Sequence, residues 1–234
     1  NTAVEKAGID MVDMHRADGV IQLGERPLRY LHRAGDDCKV PFVHAVEIGE
    51  LGDYPTVKID NVAAAEAMAT YLAALGHKHI GVLAGLKDRK VTQQRLIGFR
   101  RALTAFGIAH DDALVEYGPY SLQGGAQSAM RLLSRQPQVT ALFCMSDEIA
   151  IGAIRTALDR GMKLPDELSV TGFDNIEFGK YCDPPLTTVM QPAERIGEIA
   201  MTLMCNLLRN EPVGEYHQRL PTELTIRASA KRLM

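Results

Sequence analysis

Residues 140–175 constrain the fold of this chain more than any other stretch. The apolar run Thr140-Ala-Leu-Phe-Cys144 leads into Ser146-Asp147, a pair suited to capping a helix. Residues 149–158 carry apolar side chains at helical spacing, Gly161 closes the helix and Pro165 marks a loop. A second apolar strand follows at 168–173. Strand, helix and strand within about 35 residues make a β-α-β unit, with parallel strands and a right-handed crossover. Both strands run into polar residues, Ser146-Asp147 after the first and Asp174-Asn175 after the second. Open parallel sheets bind ligands outside the carboxyl ends of their strands. Asp174 therefore stands where a ligand would bind. The competing reading is that Asp174-Asn175 only caps a short helix that follows.

The rest of the chain repeats the alternation. Strands are predicted at 20–23, 40–46, 56–59, 80–84 and 114–117, a strand or crossing segment at 186–190, and extended segments at 217–220 and 224–227. Helices are predicted at 2–16, 28–31, 62–75 with Asp60 as its cap, 92–105, 122–133 and 193–208. This order argues for an α/β protein with parallel sheets. No linker divides the chain, so two subdomains require it to pass back and forth between them.

A net charge of −3 argues against general polyanion binding by these 234 residues. Cys38, Cys144, Cys182 and Cys205 lie far apart without a CxxC, the pattern of reduced, mostly buried thiols in a cytoplasmic protein. No apolar run reaches membrane-spanning length, and no signal peptide opens the chain. The first residues read as the inside of a helix, so further residues are expected upstream. Enzyme motifs are lacking: there is no GxSxG, no GxxxxGK[ST] and no HExxH. His77-Lys78-His79 has the look of a metal or phosphate feature, but it follows the helix-ending Gly76, where cations meet the negative end of the helix dipole, so a cap is the better reading. Cys144 has no His near it in sequence and reads as packing.

Polar residues just past strand ends are the better candidates. Arg89 and Arg95 follow the strand at 80–84, and Arg presents planar, multiple donors that suit diols and carbonyls. For Arg89 the alternative is a solvated loop position; for Arg95 it is an ion pair with Asp174 or Asp147. Tyr120 follows the strand at 114–117 and offers a face to a flat ligand, or else is a core aromatic. Gln191 follows 186–190 and both donates and accepts. No metal-ligating cluster and no cofactor fingerprint appears.

These residues fall within a longer signature. The chain resembles the effector-binding domain of the lactose/galactose/purine repressor family of bacterial transcription regulators. The segments that carry the resemblance are Asp60-Asn61, Leu75-Gly-His-Lys-His-Ile-Gly81, Arg95-Leu-Ile-Gly-Phe99, Ala141-Leu-Phe-Cys-Met-Ser-Asp147, Leu168-Ser-Val-Thr-Gly-Phe-Asp-Asn175, Leu186-Thr-Thr188 with Gln191, and Leu220-Pro-Thr-Glu-Leu-Thr-Ile-Arg-Ala-Ser229. Val57-Lys-Ile-Asp-Asn61, Gly172-Phe-Asp-Asn-Ile176 and Cys182-Asp-Pro-Pro-Leu-Thr-Thr188 are most similar to the cytidine-responsive branch of that family.

The resemblance implies a periplasmic-binding-protein-like α/β fold: two doubly wound parallel-sheet subdomains joined by three crossing strands, with the ligand in the cleft. Residues 1–59 and 191–221 would form the N-terminal subdomain, incomplete in this chain, and 60–190 with 222–234 the C-terminal one. The DNA-binding headpiece would lie outside the chain. The implied activity is not enzymatic. It is a ligand-responsive cytoplasmic repressor whose effector is a nucleoside such as cytidine, bound by Arg89, Arg95, Tyr120, Asp174 and Gln191. Val91 stands where purine-binding members carry a ligand-contacting Thr, which argues against a purine base. The implied partners are operator DNA through the headpiece, a second copy of the chain across helices 62–75 and 193–208, and the cyclic-AMP receptor protein. A periplasmic solute-binding protein of the same fold, feeding a transporter, is the alternative.

Overall fold

The structure, a computed structural model, describes residues 17–24, 41–46 and 54–233. The helices expected at 2–16 and 28–31 lie outside the described residues. In chain order the elements begin with β1 (Val20–Gln22), β2 (Phe42–Val46), β3 (Thr56–Ile59), α1 (Asn61–Ala74), β4 (Ile80–Ala84) and α2 (Lys90–Ala105). They continue with β5 (Val115–Tyr117), α3 (Leu122–Arg135), β6 (Ala141–Cys144), α4 (Asp147–Asp159) and β7 (Ser169–Asp174). A 3-10 turn (Glu177–Tyr181), β8 (Thr187–Met190), α5 (Ala193–Leu208), β9 (His217–Leu220) and β10 (Glu223–Thr225) complete the chain.

The chain divides into two compact units, Asn1–Ile59 with Pro192–Leu220, and Asp60–Gln191 with Pro221–Met234. In the first unit β1, β2, β3 and β9 form a parallel sheet in that order. Val43, Ala45, Val57 and Ile59 are buried in it. Helix α5 packs on β1, β2 and β3. It buries Ile196, Ile199, Ala200, Leu203 and Met204, the i, i+3, i+4 stripe of a helix that covers a sheet.

The second unit is built on a six-stranded sheet in the order β10-β8-β7-β6-β4-β5. Strands β4 to β8 run parallel, and β10 closes the edge antiparallel to β8. That antiparallel edge departs from the parallel expectation. From β4 the chain steps one way to β5, then reverses to β6, β7 and β8. Right-handed crossovers then put α2 on one face and α3 with α4 on the other. Helix α1 packs against α2, and α3 against α4. With both faces covered, the central strands are buried throughout; every residue of β4 and β6 is buried. The reversal between β4 and β6 is a topological switch point, the place where such sheets bind ligands.

Two local expectations shift. Helix α2 starts at Lys90, two residues before its predicted start, with Arg89 as its N-cap. Strand β5 starts at Val115 because Asp111 caps a 3-10 turn over Asp112–Leu114. His77 departs from the expected cap. It is 2% exposed, Nδ1 lies 2.9 Å from Thr140 Oγ1 and Nε2 lies 3.1 Å from the Lys231 carbonyl. Burial lowers its pKa. It therefore ties β4 and β6 to the C-terminal segment as a neutral ring rather than capping a helix as a cation. Residues 77, 140, 165–167 and 231–233 line a cavity of about 140 Å³ there.

Candidate functional site

The candidate site is the carboxyl edge of the second sheet, where polar or aromatic residues follow β5, β6, β7 and β8, and Arg89 and Arg95 follow β4 beyond its loop. Ser146 caps α4 by accepting from the Ile149 amide at 3.2 Å. Asp147 is consequently the first helical residue, directly past β6. Asp174 is the last residue of β7, and Gln191 follows β8.

Arg95 lies in the second turn of α2 and is only 5% exposed. Its Nε donates to Asn61 Oδ1 at 2.9 Å, and Nη1 donates to the Met145 carbonyl. The guanidinium stacks on Phe173, 3.5 Å from the ring centroid. The alternative of a direct ion pair gives way to a different arrangement. Arg95 is held by a neutral amide, a backbone carbonyl and a ring, and acts on Asp174 through its charge. Asn61, Met145 and Phe173 lie in segments that carry the resemblance, but no local pattern ties them to Arg95. Asn61 follows the helix cap Asp60, whose Oδ1 accepts from the Val62 and Ala63 amides.

Asp174 holds φ at 116° and Asn175 at 59°, in the left-handed region that favours glycine. Part of Asp174 remains open to solvent, but the atoms around its carboxylate crowd out most water, and this raises its pKa. The Arg95 charge and the Gln191 hydrogen bond pull it back down, while Glu148 pushes it up. Gln191 Nε2 donates to Asp174 Oδ1 at 2.6 Å. Arg95, Asp174 and Gln191 thus form one group.

Tyr120 stands at the β5 end of the edge. Its hydroxyl lies 3.1 Å from Thr92 Oγ1, and its ring lies so close to Gly85 that a Cβ there would collide with it. It also packs against the core of the α3–α4 face. Its structural and ligand-facing readings are compatible, since it is only half-buried. Arg89 is half-exposed, its amide donating to the Leu86 carbonyl at 3.1 Å, and it precedes Arg95 by more than a helical turn. Val91 is buried at 5% exposure. Cys144 is fully buried, and burial raises its pKa far above that of a nucleophilic thiol.

Asp147 emerges as a further residue of this edge. It is 0% exposed, and burial pushes its carboxyl up to about 6. Thr188 Oγ1 donates to its Oδ1 at 2.5 Å and the Ile176 amide to its Oδ2 at 2.8 Å. In the sequence it reads as a strand-end residue of a helix cap and as an alternative ion-pair partner for Arg95, and neither reading places it against Ile176 and Thr188.

A doubly wound sheet with its polar residues gathered at the switch-point edge defines a ligand-binding domain. Residues 69–230 match the Periplasmic binding protein-like domain family. The HTH-type transcriptional repressor CytR of Escherichia coli is 37% identical over 98% of this chain and 67% of its own length. Catabolite control protein A of Priestia megaterium is 34% identical over 82% of this chain and 58% of its own. Among solved structures, the transcriptional regulator CelR in complex with cellobiose superimposes with a TM-score of 0.89, at 29% identity, over 97% of this chain and 70% of that one. A LacI-family regulator from Enterococcus faecium with bound ribose gives 0.86 at 26% identity, over 95% and 83%. The chain belongs to the LacI family of transcriptional regulators and is its ligand-binding domain. The expected periplasmic-binding-protein-like fold is borne out, and the relatives are transcriptional regulators rather than enzymes.

Proposed function

We propose that the chain is the effector-binding and dimerisation portion of a cytoplasmic repressor whose effector is a nucleoside, with cytidine the first candidate. The observation that carries this reading is the compensated charge group at one sheet edge, Arg95 acting on an Asp174 already bonded to Gln191. Hydroxyl groups accept from Arg and donate to a carboxylate, so a sugar diol suits both. A phosphate would meet Asp174 and Glu148 with repulsion at a site short of water, which favours a neutral ligand. The half-buried ring of Tyr120 suits a flat base. The likeness to CytR points the same way, and the cellobiose and ribose complexes of other relatives are consistent with a polyhydroxyl ligand. Operator DNA would be bound by another part of the protein, since these residues carry net charge −3. A solute-binding protein is the less favoured reading, because relatives at this identity are regulators.

Calorimetry with cytidine, adenosine, cytidine monophosphate and ribose tests the ligand. Cytidine should bind more tightly than its monophosphate or ribose by tenfold or more, a difference of about 1.4 kcal/mol. Equal binding of the monophosphate would remove the charge argument, and tight binding of ribose alone would remove the base.

The chain should also self-associate. Phe178 and Tyr181, at 75% and 78% exposed, are the two most exposed large hydrophobic side chains among the described residues, and Met201 on α5 is 55% exposed. A second copy covering such side chains would explain their exposure. Sedimentation should give about twice the 25.7 kDa of the chain, and Phe178→Ser with Tyr181→Ser should weaken the dimer. A monomer at high concentration would contradict this.

A further inference from the structure

Asp147 makes none of the ligand contacts proposed above, yet it is the most enclosed charged side chain among the described residues. Every group bonded to it is a donor that belongs to the neighbouring turn or strand. The Ile176 amide comes from the turn after β7, and the Thr188 hydroxyl comes from β8; the Asn175 amide, one residue earlier in that turn, also favours the ionised carboxylate. The same turn is pinned on its other side, where Arg227 Nη2 donates to Asn175 Oδ1 at 2.7 Å. Two consecutive non-glycine residues with positive φ do not hold that shape alone; bonds from outside the turn must impose it. Gly172, inside β7, leaves the room the carboxylate occupies, since a Cβ there would run into Oδ1.

We propose that Asp147 is the positioning residue of the effector site, and that its ionisation holds Asp174 in the pose that meets the ligand. This rests on Asp174 being an effector contact, as proposed above. The physics lies in the donors. An ionised carboxylate accepts from the Ile176 amide and the Thr188 hydroxyl, and such charge-assisted bonds are roughly twice as strong as neutral ones. A proton on the carboxyl turns one acceptor into a donor. The amide cannot reverse, so only the Thr188 hydroxyl can turn to accept it. The amide bond then loses its charge assistance and the turn loosens.

The groups that bear on this titration come from several elements. Burial raises the Asp147 pKa first, and the Asp174 charge on β7 raises it further, while the Thr188, Ile176 and Asn175 bonds lower it. Cys144 on β6 and Cys182 after the 3-10 turn feel the Asp147 charge, and Arg227 faces Cys182. Arg95 and Glu148 act on Asp174. The sign for stability runs opposite to that for the turn. The folded pKa lies above the ordinary 3.8, so this group stabilises the fold as pH falls from about 6 toward 4. Over that same interval the turn gives way. Fold stability and site geometry therefore part company, which a purely structural carboxylate would not produce.

The test begins without ligand. Amide resonances of Asn175 and Ile176 should titrate together with a midpoint near pH 6. The titration should vanish in Asp147→Asn. In Thr188→Val, which keeps the carboxylate but removes its hydroxyl donor, the midpoint should move up. A flat profile, or one that persists in Asp147→Asn, overturns the proposal. Cytidine affinity should then fall several-fold through the same midpoint in the unmodified chain and be weak and flat with pH in Asp147→Asn. If the amides titrate as stated and cytidine binds at no pH, the nucleoside reading fails while the hold of Asp147 on the turn stands. If cytidine binds with an affinity independent of pH, the positioning role fails while the nucleoside reading stands.

Discussion

Asp174→Asn is expected to weaken effector binding by about 2–3 kcal/mol, roughly 30- to 150-fold, while the fold is retained. The size follows from the loss of a charge-assisted partner for ligand hydroxyls in a site short of water. Asn is the informative replacement because Asp174 holds φ at 116°, where Ala would add backbone strain to the loss of the carboxylate. Asn keeps the shape and can still accept from Gln191. Calorimetry with cytidine reads the affinity, and thermal unfolding reads the fold. Unchanged cytidine binding in a folded Asp174→Asn protein would remove Asp174 from the site.

Gly152→Ala is expected to destabilise the second unit by about 2 kcal/mol, although Ala is the better helix former by about 1 kcal/mol. A Cβ on Gly152 of α4 would fall 2.8 Å from the Ala126 amide nitrogen and closer still to the Leu122 carbonyl, both backbone atoms of α3. Gly125 on α3 meets the backbone of Ile149 on α4 in the same way, its added Cβ 2.6 Å from the Ile149 Cα. Neither helix can move aside without lifting off the sheet, so overpacking outweighs propensity. Gly197 on α5 is the control. An added Cβ there meets nothing within 4 Å, and Gly197→Ala should stabilise by up to about 1 kcal/mol. Chemical denaturation of the three proteins measures both effects. A Gly152→Ala protein as stable as its parent would mean that the two helices do not cross this closely.

The sequence made the strands and helices of the second unit legible because its parallel core strands are continuous apolar runs with polar residues at their ends. Asp174 and Gln191 could be picked out for that reason alone. The environment of Arg95 could not. Its anchors lie 34 residues before it, at Asn61, and 50 after it, at the Met145 carbonyl, and no local pattern links positions so far apart. Asp147 is visible in the sequence as a strand-end residue and a possible partner of Arg95, but its donors from Ile176 and Thr188 are ones that only the folded sheet brings near. The role of His77 is hidden from the sequence for a related reason. Beside Gly76 it has the spacing of a C-terminal cation, but the distant Thr140 and Lys231 enclose it and keep it neutral. The direction of β10 had no local marker at all; its pairing with β8 sets it.

A crystal structure of the chain grown with cytidine should place the ribose hydroxyls within hydrogen-bonding distance of the Asp174 carboxylate and the Arg95 guanidinium, with the base against Tyr120. Cytidine bound away from the carboxyl edge of β4 to β8, or bound there with its ribose turned from Asp174 and Arg95, would contradict the proposed site.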